Sequence, residues 1–70
     1  MKSRSDLVKA ITRTRDLIKI TTQEVGELYL EYLETRTEPL LETARQKAVF
    51  IGQLKTRVTE LENAFLTADH

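Results

Sequence analysis

The stretch TRTEPLLE, residues 35–42, lies at the middle of a 70-residue chain and holds its single proline, Pro39. Proline has no backbone N–H, and its ring clashes with the preceding turn, so a helix accepts it readily only in its first turn. Pro39 therefore poses a choice between two folds. Either two helices reverse direction here, or one long helix is kinked. The segments on either side settle the preference.

On the amino-terminal side, Leu7, Ile11, Thr14, Ile18, Thr21, Val25, Leu28 and Tyr32 step by four and three residues without a break. This is a heptad seam, with Ile11, Ile18, Val25 and Tyr32 at a and the other four at d. On the carboxyl side, Leu40, Ala44, Lys47, Ile51, Leu54, Val58, Leu61, Phe65 and Ala68 follow the same rule. Only Lys47 is not apolar, and its stem can lie along the seam with the ammonium outside. AITRTRDLIKITT, residues 10–22, is rich in β-branched residues, and the chain has ten Thr, a mediocre helix former. Strand-like alternation lasts only a few residues, however, and no hairpin turn signal interrupts residues 6–34.

The spacing thus predicts an all-α fold, a single antiparallel two-helix hairpin over residues 1–70. Its helices are expected at about 5–35 and 39–66, with the turn near 36–39. Ser3 and Asp6 have capping-box spacing at the start of the first helix. Thr37 or Glu38 precedes Pro39 as the cap of the second.

Reflecting the two seams about residue 36 sets every a site opposite a d site, with small Thr14 and Thr21 against branched Val58 and Ile51. Charge agrees. In residues 1–20 basic side chains exceed acidic ones by four, and in residues 21–43 acids exceed bases by five. Residues 44–57 carry four bases and no acid, and in residues 58–70 three acids stand without a base. Folding back lays opposite blocks together, whereas a parallel in-register pair of long helices lays like on like. Exposed ion pairs are worth only about 0.2–1 kcal/mol each, so the pattern speaks to orientation more than to stability.

Off the seam, apolar side chains remain. In KAVFIGQL, residues 47–54, Val49, Phe50 and Ile51 are consecutive, and no single helix face holds all three. Leu17 and Phe50 fall at g, Tyr29 and Leu41 at e. Ile20, Leu33 and Leu30 lie farther out. A chain below roughly 80 residues needs a disulfide, a metal, a partner or oligomerisation to hold a marginal core. There is no Cys, and the single His is residue 70, which leaves unusually good packing or other chains. The expectation is dimerisation into a four-helix bundle, with Leu17, Tyr29, Leu41 and Phe50 at the self-association or partner interface. Gly26 and Gly52, both at b, admit two readings: close approach of another helix, or a tolerated local defect.

The same inventory argues against catalysis. No Cys nucleophile, internal His or Gly-rich phosphate loop is present, so no enzyme activity and no cofactor are expected. Glu24, Glu27, Glu31 and Glu34 form a carboxylate ladder, read as a solvated face rather than a metal site. The expected function is a non-enzymatic protein-interaction module, such as a small oligomeric adaptor, assembly or regulatory subunit. The alternative is a nucleic-acid-binding hairpin dimer using Arg4, Lys9, Arg13 and Lys19, with Lys2 on the same stripe. Zero net charge and the lack of interleaved aromatics weigh against it. No apolar run approaches the ~18 residues of a membrane span, and no apolar signal-peptide core follows the basic start. A cytoplasmic protein without membrane partners is the expectation.

Overall fold

The computed structural model describes residues 3–68. Two helices account for nearly all of it: α1, Arg4–Thr35, and α2, Glu38–Thr67. A 32-residue helix is about 48 Å long. The longest dimension is 54 Å, so α2 lies back along α1 instead of extending it. Arg36 and Thr37 make the reversal, and the continuous kinked helix is not formed.

Each helix end has a local cause. At the start of α1, the Ser3 side chain accepts a hydrogen bond from the Asp6 N–H at 3.1 Å, satisfying one orphan donor of the first turn. Arg36 ends α1 in the left-handed region, φ 55° and ψ 33°, where its N–H donates to the Tyr32 carbonyl at 2.6 Å. Thr37 is extended and caps α2 without a side-chain bond, and Pro39 occupies the first turn. Both starts fall one residue earlier than the sequence reading, and α2 ends one later. Ala68 is a correction: it lies past the end of α2 and is exposed, so the carboxyl-terminal seam closes at Phe65. Lys2 and His70 lie outside the described residues.

The seam is the core. All eight seam residues of α1 are buried or half-buried, and elsewhere on that helix only Ala10 and Glu24 are. On α2 the eight from Leu40 to Phe65 are covered, joined by Leu41, Thr43 and Glu62. Leu7, Ala44, Val58 and Leu61 are its most buried apolar members. Lys47 behaves as its length allows: half-buried at a d site, its ammonium 3.0 Å from Glu24 on the other helix. Arg15 and Glu62 make a second cross-helix pair at 2.9 Å. Each pair joins blocks of opposite sign, the antiparallel pairing that the charge pattern predicts.

The Thr content is reconciled with helix by back-bonding. Thr14 donates to the Ala10 carbonyl at 2.7 Å, and Thr35, Thr43, Thr56, Thr59 and Thr67 do the same one turn back. The hydroxyl of Thr14 is thereby satisfied at a seam position, where an unpaired one is costly.

Candidate interaction surface

A two-helix rod has little interior. Its radius of gyration is 15.9 Å, where a compact chain of this length has about 11 Å. Its accessible surface is 5341 Å², against about 4,500 Å² for a compact 8.1 kDa protein. Much of the excess is apolar. Val8, Leu17, Ile20, Tyr29, Leu30, Leu33, Val49, Phe50 and Leu66 are all exposed, from 41% at Leu17 to 71% at Leu66.

Leu30 and Val49 fall at f, on the outer face; the other seven divide between two flanks of the seam, because heptad positions e and b lie on one side of it and g and c on the other. On the e/b flank near the turn, Val25, Tyr29, Tyr32, Leu33, Leu41, Ala44 and Ala48 line a groove, with Arg36 and Arg45 at its edge. The Tyr29 and Tyr32 rings lie 6.3 Å apart, and the Arg36 guanidinium sits 5.8 Å from the Tyr32 ring centre, a cation–π arrangement. At the open end of the same flank, Val8, Ile11, Thr12, Phe65 and Leu66 line a second groove beside the Arg15–Glu62 pair. Thr22, Gly26 and Gly52 occupy e/b positions between the grooves, next to Ala48 at the rim of the first. A methyl group built on either glycine meets no atom within 4 Å, so the hairpin itself has no steric need for glycine there.

The g/c flank is different. Leu17, Ile20 and Phe50 are exposed near its middle. Toward the turn, Glu24, Glu27 and Glu31 line a hollow with Leu28, Thr43 and Lys47. The four expected interface residues are therefore not one patch. Tyr29 and Leu41 share a groove, whereas Leu17 and Phe50 lie across the seam from it. Leu41 is half-buried rather than exposed. Val8 and Leu66 escaped the sequence reading. Their signal was the e/b stripe itself, which continues from Leu33 back to Val8 and from Leu41 forward to Leu66.

The basic residues of α1 do not form an uninterrupted field. The Arg4 guanidinium lies 4.3 Å from the Phe65 ring centre and closes the end of the seam. Lys9, Arg13 and Lys19 are exposed on the outer face, but Asp6 and Asp16 share that face. Arg57 is 3.9 Å from Glu60 on its own helix. Among the described residues, no group of three His, Cys, Asp or Glu side chains is placed to hold a metal ion. No described helix is long and apolar enough to cross a membrane.

No family model, curated protein or solved structure matches the chain.

Proposed function

We propose that this protein is a non-enzymatic protein–protein interaction module that works by covering its apolar flanks, first with a second copy of itself in a four-helix bundle. An adaptor, assembly or regulatory subunit, acting in the cytoplasm, is the corresponding role. The observation that carries this reading is the imbalance between interior and surface. Among the described residues, four apolar side chains are buried, while nine large ones stand exposed. Scattered apolar surface is ordinary on a soluble protein. Here seven of the nine follow two helical stripes, and Val8, Tyr29, Leu33 and Leu66 line grooves, which is how helix-in-groove surfaces are built.

The residue inventory supports a role without chemistry. The chain has no Cys and only a terminal His, and among the described residues the carboxylates are exposed apart from Glu24 and Glu62, which are held in ion pairs. Sedimentation across a wide concentration range tests the reading, with thermal unfolding followed in parallel. The expected result is a mass above 8.1 kDa and a melting temperature that rises with protein concentration. A fully helical 8.1 kDa species whose melting temperature is independent of concentration overturns it.

A further inference from the structure

We infer that the e/b flank takes a second copy of this chain in head-to-tail orientation, the two turns at opposite ends, so that α1 packs on the α1 of the second copy and α2 on its α2. This rests on the self-association proposed above, and adds which flank is used and which way round.

Area fits a second copy. The surface exceeds that of a compact chain of this mass by about 800 Å², the share each partner contributes to a standard-size interface.

Spacing fixes the register. Val8 and Leu33 bracket the flank on α1 and are 25 residues apart, and Leu41 and Leu66 bracket it on α2 at the same separation. Both spans are about 37 Å along the helix axis. A half-turn about an axis across the middle of the rod therefore brings Val8 beside Leu33 of the second copy and, at once, Leu41 beside its Leu66, each to within about 3 Å along the axis. The polar positions between them follow in the same register. Arg45 meets Glu62 of the second copy, an opposite-charge pair. Arg15 meets Gly26, and Lys55 meets Gly52. Each long side chain thus lies over a residue with none, which is a use for two glycines that the lone hairpin does not require. Helix-interior glycine is otherwise unfavourable relative to alanine.

Charge selects the orientation. In the open half of the rod, residues 3–20 and 52–68, basic side chains exceed acidic ones by three. In the turn half, residues 21–51, acids exceed bases by three. Head-to-tail packing sets each half against its opposite. The same-end arrangement sets like on like and brings Lys19 against Lys55 of the second copy. The g/c flank is a poorer seat, because Glu24, Glu27, Glu31 and Glu34 all lie along it.

The chain has no Cys, so single-cysteine variants report contacts without background. Val8→Cys is mixed with Leu33→Cys and, separately, with Leu66→Cys, then oxidised, and the cross-linked products are identified by mass. The expected product is the Val8→Cys/Leu33→Cys disulfide, with little from the second mixture. A dominant Val8→Cys/Leu66→Cys product overturns the orientation while leaving self-association intact. Gly26→Leu and Gly52→Leu supply the second readout. Both keep or raise helicity, since open space surrounds each site, yet each weakens dimerisation by about tenfold or more through overpacking. If the dimer tolerates both and is dissociated instead by Leu17→Asp, the flank assignment fails. If every variant and the parent chain sediment as a helical monomer, the underlying self-association fails as well.

Discussion

On one flank of the seam, Tyr29, Leu33 and Leu41 line a groove beside Ala48, and a second groove opens at Val8 and Leu66. On the other, Leu17, Ile20 and Phe50 stand exposed, with a run of glutamates beyond them toward the turn. The two flanks carry comparable apolar side chains, and interhelical ion pairs cross both, Arg15–Glu62 on the first and Glu24–Lys47 on the second. They differ in relief. The first flank carries charges of both signs, Arg15, Lys19, Arg45, Lys55 and Glu62, but small residues at Thr22, Gly26, Ala48 and Gly52 let another backbone approach between them. On the second, four glutamates of one sign crowd the half of α1 toward the turn. Apolar content alone therefore does not mark a docking face; the size and charge of the residues between the apolar ones decide it.

Three perturbations bear on that comparison. The largest effect belongs to the seam beneath both flanks. Leu61→Ala removes a buried side chain, 4% exposed, and is expected to cost about 2–4 kcal/mol in chemical denaturation. Because both flanks rest on this core, helicity and assembly fall together; loss of one without the other breaks the premise that the flanks share a single foundation. Next comes Tyr29→Asp set against Phe50→Asp. The first puts an unpaired charge in the groove and is expected to weaken self-association at least ~100-fold by sedimentation. The second is expected to act by less than ~10-fold, since it sits on the flank left open. Equal effects would erase the distinction drawn here. The smallest effect separates the two ion pairs. Glu24→Gln and Glu62→Gln each remove an exposed interaction, for about 0.2–1 kcal/mol in stability. Only Glu62→Gln is expected to lower dimer affinity, through the lost contact with Arg45 of the second copy. Added salt mutes both, as screening requires.

Much of the hairpin was legible because periodicity is a strong signal. From Leu7 to Phe65 every seam position is covered, down to the Lys47 exception and its reach outward. The Ser3 cap was readable from its spacing to Asp6. The turn was placed correctly by Pro39, but its mechanism was hidden. A left-handed residue between helices is most often glycine, and here it is Arg36, so composition gave no warning. Ala68 matched the step of the seam yet falls beyond the last helical turn, since helix ends are set by caps and not by period. The interface residues were legible as a surplus but not as a surface. Leu17 and Phe50 at g, and Tyr29 and Leu41 at e, become two separate flanks only once the second helix lies across the first. Side chains that line the grooves from both helices, Val8 with Leu66 and Leu33 with Leu41, each sit on the e/b stripe of their own helix, but their pairing is set only by the fold.

Arg36 also governs the shape of the molecule. With φ at 55°, it occupies a region that costs a residue with a side chain roughly 1 kcal/mol, and only one further residue, Thr37, separates the two helices. If that torsion and the extended ψ of Thr37, 106°, both turn right-handed helical, α1 runs on into α2 as a rod of about 96 Å. Two such rods side by side can exchange halves, each sealing the other's seam with the contacts a hairpin makes internally. Closed and exchanged forms are thus separated by backbone rotations at two adjacent residues, Arg36 and Thr37. Glycine at 36 should lock the closed form, and isoleucine there should drive the exchange, visible as a rod of twice the length in small-angle scattering.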